Sequence, residues 1–311
     1  MLSIIIVNYR TCELTSQAIR SILKQKVNFK YEIILVDNAS GDGSADVLRF
    51  EFSQQIDSGL IKFILNQVNE GFAKGNNLGI RKSSGKYILL LNSDTTLEPN
   101  VLSACVNVME KYKQKKGVPI GALGCKVVLP NGKLDHACKR GFPTPLASLY
   151  YMLGMHKINP KKYGAYCAAY RDEDEVGEVD CLTGAFMLVP REVIKTVGAL
   201  DEDYFMYGED IDWCYRIKQA GFKIIYYPRV KITHFKGGSS SSSKAIKARV
   251  IYNMHSTMWL FYKKHYLKQY PILISVAVFS GIVIKYLMSL TGNLVKMLKI
   301  ENVKKCKILK R

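Results

Sequence analysis

Two polar clusters contain carboxylates that could do chemistry, and the first is centred on Asp94. This residue follows the apolar run Tyr87–Leu91 after only Asn92 and Ser93, and two threonines come after it. An apolar run of this length predicts a buried strand, so the Asp94 carboxylate would be held at the rim of a sheet. A carboxylate in that position suits a hard divalent cation such as Mg²⁺ or Mn²⁺.

The second cluster contains Glu209, Asp210 and Asp212, before a predicted helix that runs to Ala220. A carboxylate within reach of a hydroxyl group can act as a general base even when it is only weakly basic. Acidic residues at a helix start also interact favourably with the helix dipole, which explains one of Glu209 and Asp212 but not all three acids. Asp210 is therefore the candidate base, with Glu209 beside it.

Glycine and asparagine dominate the segment after the third predicted strand. We expect a loop from Asn66 to Gly79, in which glycines bring the backbone close to a ligand and Asn76 and Asn77 present their amides. A glycine-rich turn that caps the next helix is the alternative interpretation. The segment lacks the Gly-Lys-Ser or Gly-Lys-Thr of a phosphate-binding loop and a dinucleotide fingerprint, so ATP and NAD are disfavoured as ligands.

Alternating strands and helices position these residues. Apolar runs predict strands at Leu2–Val7, Glu32–Val36, Ile61–Leu65 and Tyr87–Leu91, and helices are predicted after Thr11 and at Ala45–Phe52. Such alternation indicates an α/β fold with a mostly parallel sheet covered by helices. Ligands bind at the carboxyl ends of the strands in such sheets, and four polar groups follow strands here: Asn8, Asp37, Asn69 to Asn77, and Asn92 with Asp94.

The second half of the chain is less regular. Long loops are predicted from Pro130 to Glu178, on the side where a second substrate would bind. An apolar strand interrupted by Thr183 and Gly184 is predicted at Val179–Pro190, and a further strand at Lys223–Tyr227. Gly237–Ser243 has the composition of a mobile linker or lid.

Six segments, in order and in combination, resemble the family 2 glycosyltransferases with the GT-A fold over Leu2 to Lys236. They are Ile6–Tyr9 (Ile-Val-Asn-Tyr), Val36–Ser40 (Val-Asp-Asn-Ala-Ser), Asn69–Asn77, Leu91–Asp94 (Leu-Asn-Ser-Asp), Leu182–Phe186 (Leu-Thr-Gly-Ala-Phe) and Tyr207–Trp213 (Tyr-Gly-Glu-Asp-Ile-Asp-Trp). The pattern is most similar to the bacterial rhamnosyltransferase branch. The resemblance implies a Rossmann-like central sheet flanked by helices.

The resemblance also implies roles for single residues. Asp37 would contact the nucleobase, with Asn8 beside the ribose. Asn92-Ser93-Asp94 matches the family's Asp-x-Asp metal motif with its first Asp replaced by Asn, and His234 would complete the coordination of metal and diphosphate. The implied nucleotide-sugar-binding residues are Asn8, Tyr9, Asp37, Asn69, Gly71, Phe72, Asn76, Asn77, Asn92 and Asp94. Catalysis would rest on Asp210 and Glu209, and the acceptor side would contain Thr183, Gly184, Asp212 and Trp213.

The implied reaction is the inverting transfer of a sugar, L-rhamnose from dTDP-rhamnose, to a lipid-linked or growing cell-surface glycan. UDP-glucose, UDP-galactose and UDP-galactofuranose would use the same motifs and stay open as donors. A non-catalytic glycan-binding membrane scaffold with the same fold is a second hypothesis. A nucleotidyltransferase is disfavoured because Asn8-Tyr9-Arg10-Thr11 is not a basic, glycine-rich phosphate loop.

The distribution of charge points to a membrane. The formal net charge is +19, and Lys244 to Arg311 supplies +13 of it through fourteen Lys or Arg against Glu301. The same stretch contains the apolar run Ile272–Ile284, which a nucleic-acid-binding arm would lack, so an anionic membrane is the expected partner. Continued to Leu290 the run approaches the roughly 20 residues that cross a bilayer. Spanning, lying in the interface and packing as a buried core helix all stay open.

These observations divide the chain into a catalytic domain at 1–236 and a membrane-associated helical region at 237–311. The eight cysteines lack disulfide or zinc spacing, which fits a reducing compartment. Leu2–Val7 has neither a charged leader nor a cleavage site and is interpreted as a strand rather than a signal peptide. The cytoplasmic face of the cell membrane is therefore the expected location, and a homo-oligomer stays open.

Overall fold

The apolar runs of the chain form one mixed sheet. A computed structural model describes residues 1–114, 119–236 and 244–308. The strands are β1 (Leu2–Asn8), β2 (Tyr31–Asp37), β3 (Ile61–Leu65), β4 (Tyr87–Leu91), β5 (Thr95–Leu97), β6 (Ile120–Val128), β7 (Gly177–Glu178), β8 (Phe186–Pro190) and β9 (Lys223–His234). Their order is β3-β2-β1-β4-β8-β6-β9-β5, with β7 paired to β9.

The first four strands of this order are parallel to one another. Antiparallel pairing enters with β8, which lies between β4 and β6, and β5 pairs antiparallel with β9. Nearly every residue of β1, β2 and β4 is buried, because helices cover a parallel sheet on both faces. The predicted α/β fold with a Rossmann-like sheet is confirmed.

Helices connect and cover the strands. They are α1 (Cys12–Leu23), α2 (Ser44–Glu51), α3 (Ser53–Asp57), α4 (Phe72–Lys82), α5 (Val101–Gln114), α6 (Pro145–Met152), α7 (Met155–Ile158), α8 (Pro160–Tyr163), α9 (Arg191–Val197), α10 (Glu209–Gln219), α11 (Lys244–His265) and α12 (Ile272–Ile308). The described residues divide into two compact units, one of residues 1–205 with 209–236 and one of residues 206–208 with 244–308.

The predicted loop from Asn66 to Gly79 is wrong, because α4 begins at Phe72 and continues to Lys82. Two glycines inside this helix explain the difference. A Cβ atom on Gly79 would lie 2.5 Å from Cγ2 of Ile5, and one on Gly75 would lie 3.0 Å from Cγ1 of Val7. These glycines therefore serve the close packing of α4 on β1 rather than the approach of a ligand.

Two strand predictions are wrong in their bounds. Val179–Pro190 was predicted as one interrupted strand, but β8 begins only at Phe186, and Cys181 makes an isolated bridge to Arg140 instead. The strand predicted at Lys223–Tyr227 continues to His234, because β9 passes Pro228 with a register shift against β6. This extension carries His234 to a position opposite Thr95.

The region from Pro130 to Glu178 contains more structure than the predicted long loops. A 3₁₀ turn at His136–Cys138 precedes three short helices, α6 to α8. The hydroxyl of Thr144 accepts a hydrogen bond from the backbone N–H of Ala147 at 3.3 Å and so caps α6.

The second unit is built on α11 and α12. The Trp259 ring packs edge-to-face on Phe279 at 5.0 Å, and the Tyr262 hydroxyl lies 2.9 Å from Ser275 Oγ. Ile272–Asn293 is long and apolar enough to cross a membrane, with a mean hydropathy of 2.0. Only 6% of its most apolar window is buried, which argues against the buried core helix. The predicted linker Gly237–Ser243 lies outside the described residues.

Candidate active site

Parallel pairing brings polar side chains together at the carboxyl ends of β1 and β2, where Asn8 and Asp37 are register partners. The Asn8 amide donates to Asp37 Oδ2 at 2.6 Å and to Ser40 Oγ at 3.1 Å, while its Oδ1 accepts from the hydroxyls of Thr11 and Thr15 at 2.9 and 2.8 Å. Both Asn8 and Asp37 are buried. They therefore form one wall of the rim and hold its loops in place.

The Asp37 carboxylate also fixes the turn that follows β2. Its Oδ1 accepts from the backbone N–H of Ser40 at 3.0 Å and its Oδ2 from the Ser40 hydroxyl at 2.7 Å. Tyr9 is half-buried beside this turn, and the Arg10 guanidinium lies 5.3 Å from its ring centroid and donates to the Ser40 carbonyl at 2.9 Å. The result is an aromatic and cationic edge next to the Asn8–Asp37 wall.

A hydroxyl contact joins this wall to the Asn92-Ser93-Asp94 motif. Thr11 Oγ1 lies 3.0 Å from Ser93 Oγ. Since Thr11 also donates to Asn8, its side chain links two motifs that are more than eighty residues apart in sequence. Thr11 precedes α1 as predicted, but its hydroxyl makes no capping bond to that helix.

Asp94 and His234 meet because β5 pairs with β9. Asp94 Oδ1 lies 3.1 Å from His234 Nε2, and Asn92 Nδ2 lies 3.5 Å from the same nitrogen. Asn92 Oδ1 is buried and has no hydrogen-bond partner among the described residues. A carboxylate and an imidazole nitrogen thus come together beside an amide whose oxygen is unsatisfied, and the Asp94 and His234 donors fit a divalent cation.

The described residues contain no cluster of three or more His, Cys, Asp or Glu side chains arranged around a metal. Asp94 and His234 would therefore supply part of a coordination sphere, and ligand oxygens or water would supply the rest. Burial lowers the pKa of His234, but its hydrogen bonds with Asp135 and Asp94 outweigh this effect and raise the pKa to about 9. A cation bound at Nε2 must consequently displace a proton.

Asp135 is a functional candidate that sequence reasoning missed. Its Oδ2 lies 3.2 Å from His234 Nδ1, and its Oδ1 accepts from Lys236 Nζ at 2.7 Å. Burial raises the pKa of Asp135, but the hydrogen bonds from His234 and Lys236 lower it further, to below its usual range. A carboxylate on Nδ1 fixes the imidazole ring with Nε2 towards Asp94. Nothing in the spacing of the sequence marks Asp135 for this role.

Asp210 lies in the first turn of α10 and is held by three donors. Its Oδ2 accepts from Arg140 Nη2 at 2.6 Å and from the backbone N–H of Gly184 at 3.3 Å, and its Oδ1 accepts from the N–H of Ile211 at 2.8 Å. Arg140 Nη2 also donates to the Leu182 carbonyl at 3.1 Å. Arg140 is a second residue that the sequence did not single out, because its bridge to Cys181 comes only from the fold.

Glu209 differs from its neighbour Asp210 in burial. Its side chain is buried, and Oε2 has no hydrogen-bond partner in the part of the chain that the structure describes. Burial, together with the charge of Asp210, raises the pKa of Glu209 to about 8. Glu209 is therefore mostly protonated at neutral pH and does not accept a proton there.

Gly184 and Phe72 connect Asp210 to the glycine-rich segment. A Cβ atom on Gly184 would lie 3.4 Å from the Phe72 ring and 4.0 Å from Cβ of Asp210. The half-buried Thr183 accepts at Oγ1 from the N–H of Ala185 at 3.3 Å. Small residues thus leave a narrow space between the Phe72 ring and Asp210.

The turn before α4 is shaped by Asn69 and Gly71. Asn69 Oδ1 accepts from the N–H of Gly71 at 2.9 Å and from Asn38 Nδ2 at 3.0 Å. Gly71 has a φ of +93°, and a Cβ there would overlap the Phe205 carbonyl oxygen. Only glycine fits this position without strain.

Four predicted side chains are not brought to the rim. Asn76 donates to the Phe72 carbonyl within α4, and Asn77 donates to Leu200 and Glu202, so the expected presentation of two free amides does not occur. Asp212 is buried in an ion pair with Arg216, and the buried Trp213 donates to the Gly198 carbonyl. These four residues hold α4 and α10 in place.

Comparison with known families matches residues 1–253 to the model described as "Glycosyltransferase like family 2". The match includes all the candidate site residues. The chain belongs to glycosyltransferase family 2. The predicted family membership is confirmed.

Relatives of this chain include a hexosyltransferase and a rhamnosyltransferase. The low-salt glycan biosynthesis hexosyltransferase Agl10 of Haloferax volcanii is 26% identical over 72% of this chain and 63% of its own length. The N-acetylglucosaminyl-diphospho-decaprenol L-rhamnosyltransferase of Mycobacterium tuberculosis is 28% identical over 68% of this chain and 69% of its own. The chain thus spans less than two thirds of the length of the Haloferax relative.

The fold is similar to that of the mannosyltransferase PcManGT from Pyrobaculum calidifontis, solved in complex with GDP-Man and Mn²⁺. The TM-score is 0.58 at 14% identity, over 97% of this glycosyltransferase and 75% of that chain. The likeness supports the GT-A type fold of the family.

Proposed function

We propose that this glycosyltransferase is a metal-dependent inverting enzyme that transfers L-rhamnose from dTDP-rhamnose to a lipid-linked or growing cell-surface glycan. The observation that carries the proposal is the pairing of two centres in one unit. Asp94 and His234 form a cation centre, and Asp210 with Arg140 forms a base centre. An inverting nucleotide-sugar transferase needs a base for the acceptor hydroxyl and a cation or cationic group for the diphosphate.

The donor would bind along the rim. The nucleobase and ribose would lie against the Asn8–Asp37 wall and the Tyr9 edge, and the diphosphate would reach Asp94 and His234. When bound, a divalent cation would neutralise the charge that develops on the departing diphosphate. The Mn²⁺ in the PcManGT complex supports a divalent cation here, either Mn²⁺ or Mg²⁺.

Asp210 would act on the acceptor. Its carboxylate would take the proton of the acceptor hydroxyl while the hydroxyl oxygen bonds to the anomeric carbon and the bond to the nucleoside diphosphate breaks. One such displacement inverts the anomeric configuration. Arg140 and the N–H of Gly184 hold Oδ2 of the carboxylate before the proton is transferred.

The enzyme would bind its acceptor at a membrane. We assign 1–236 to the catalytic domain and 237–311 to membrane association, with α12 spanning the bilayer or lying on it. The rhamnosyltransferase of Mycobacterium tuberculosis, whose name specifies a decaprenol-linked acceptor, supports a lipid-linked substrate, which we assign to the cytoplasmic face. The excess of Lys and Arg after Lys244 agrees with that orientation. A homo-oligomer is compatible with this assignment.

A different hexosyl donor, such as a UDP-sugar, is the second candidate. The hexosyltransferase from Haloferax volcanii is the observation that favours it. A non-catalytic scaffold is less favoured, because Asp94, His234 and Asp210 are all present with their partners.

Release of free nucleoside diphosphate tests the proposal. The detergent-solubilised chain would be incubated with dTDP- and UDP-sugars, with and without Mn²⁺ or Mg²⁺, and the Asp210→Asn chain is the control. Metal-dependent release from dTDP-rhamnose alone, lost in the control, is the expected result. Release from a UDP-sugar alone would overturn the donor, and binding of a glycan without binding of any nucleotide sugar would favour the scaffold.

A further inference from the structure

The helices α6 to α8 present apolar side chains to solvent within the first unit. Ile158 is 81% exposed and Leu153 is 64% exposed. Leu146, Leu149, Tyr151 and Met152 are also exposed. Single exposed apolar residues are ordinary on protein surfaces, but a run of them marks a site of interaction. We refer to residues 146–162 as the α6–α8 surface.

This surface is also basic. Lys157, Lys161 and Lys162 are exposed, and none of them makes an ion pair with a carboxylate among the described residues. The sequence contains no Asp or Glu between Asp135 and Asp172. The charge of the α6–α8 surface is therefore complementary to an anionic partner.

The α6–α8 surface is joined to the base centre by short contacts. The Tyr151 ring packs edge-to-face on Tyr166 at 5.0 Å, and the Tyr166 carbonyl accepts from the N–H of Gly141 at 2.9 Å. The residue before Gly141 is Arg140, which binds Asp210. A partner on this surface would consequently lie on the acceptor side of the enzyme.

We propose that the α6–α8 surface docks the catalytic unit on an anionic lipid surface, separately from the C-terminal helices. The lysine side chains would meet lipid phosphates, and Leu153 and Ile158 would enter the boundary between headgroups and acyl chains. Exposed aliphatic side chains interleaved with unpaired lysines favour a lipid surface over an acidic protein. Docking presents Asp210 to an acceptor held in that surface, and this consequence rests on the lipid-linked acceptor proposed above.

Depth-dependent fluorescence quenching tests the docking. The full chain with Ile158→Trp would be reconstituted in vesicles of phosphatidylcholine, or of phosphatidylcholine mixed with phosphatidylglycerol, each containing lipids with brominated acyl chains. The unsubstituted chain gives the baseline fluorescence of the native Trp213 and Trp259, which is subtracted from the signal of each variant. Phe50→Trp is the matched control, because Phe50 is 86% exposed in the same unit but lies between Arg49 and Glu51.

The expected result is quenching of the Ile158→Trp signal in the phosphatidylglycerol vesicles and none for Phe50→Trp. Adding Lys157→Gln, Lys161→Gln and Lys162→Gln should weaken docking about a hundredfold, because each basic side chain near an anionic surface contributes roughly fivefold. These lysines contact neither centre, so release of nucleoside diphosphate in detergent should not change.

An Ile158→Trp signal that stays as unquenched as the control would overturn the proposal and leave an acidic protein as the partner. Quenching that persists without the three lysines would contradict the electrostatic docking. The quenching assay does not depend on enzymatic turnover, and the assay of nucleoside diphosphate release in detergent does not depend on binding to vesicles. Failure of this proposal and failure of the proposed reaction are thus measured separately.

Discussion

At the scale of single residues, the base centre depends on a contact that the sequence does not reveal. Glu209-Asp210 is recognisable as a pair of acids before a helix, whereas Arg140 lies seventy positions earlier in a region without periodicity. In the structure, a backbone bridge between Arg140 and Cys181 positions the guanidinium group next to Asp210. Asp135 was missed for a similar reason, since only β9 brings His234 to it.

Arg140→Met should lower kcat by about 10- to 100-fold, because a hydrogen bond between charged groups contributes roughly 1.5–3 kcal/mol. The KM for the donor should stay close to that of the unchanged enzyme, since Arg140 contacts Asp210 rather than the donor wall. Steady-state kinetics would separate the two constants. Arg140→Lys should restore part of the loss. A change confined to KM would contradict a role for Arg140 in positioning the base.

Asp135→Asn should weaken Mn²⁺ binding by about 10- to 100-fold, the usual effect of losing the carboxylate that orients a ligating histidine. Titration followed by the electron paramagnetic resonance of free Mn²⁺ would measure the affinity without turnover. Asp57→Asn is the control, because Asp57 is exposed at the end of α3. Equal affinity in the two variants would exclude Asp135 from the cation centre.

Glu209 should make stability depend on pH. Its pKa is about 8 when folded, against an ordinary value of 4.5, so the folded state binds more protons between these values. Stability must then fall as the pH rises through this window. The isosteric Glu209→Gln removes the titration. The unfolding temperature of this variant, relative to that of the unchanged chain, should therefore rise as the pH is raised from 5 to 8. Thermal unfolding at several pH values would show the difference, and parallel curves would refute it.

At the scale of elements, the sequence predicts those whose residues follow a clear period. The strands β1 to β4 are recovered closely because each is a mostly apolar run between polar turns. The helix α4 was missed because glycine and asparagine favour helices weakly, and packing on β1 outweighs that preference. The strand β9 was cut short because Pro228 normally ends a central strand.

Gly79→Ala should destabilise the first unit by about 1–3 kcal/mol, the usual effect of overpacking a core. The new Cβ would stand 2.5 Å from Ile5, so β1 or α4 must shift. Gly75→Ala should have a smaller effect, since its contact with Val7 is 3.0 Å. Denaturant unfolding of both variants would rank them. The reverse order, or no loss in either variant, would contradict the packing role given to these glycines.

At the scale of the whole molecule, the sequence predicts the family, the GT-A type fold and an apolar C-terminal helix. It does not predict how the region between Pro130 and Glu178 contributes, because short helices with exposed apolar residues leave no clear pattern. That region supplies Arg140 and Asp135 to the two centres, and it also contains the α6–α8 surface. The sequence therefore identifies most residues of the candidate site, and the fold adds the two partners Asp135 and Arg140.

The central claim is that separate centres hold the cation and the proton acceptor, and one comparison tests it most directly. Binding and hydrolysis of dTDP-rhamnose would be measured in Mn²⁺ for Asp94→Ala and Asp210→Asn. We expect Asp210→Asn to bind the donor about as tightly as the unchanged enzyme while losing about 10²- to 10⁴-fold in turnover, and Asp94→Ala to lose metal-dependent binding. Tight, metal-independent binding by Asp94→Ala, or full turnover by Asp210→Asn, would contradict the account.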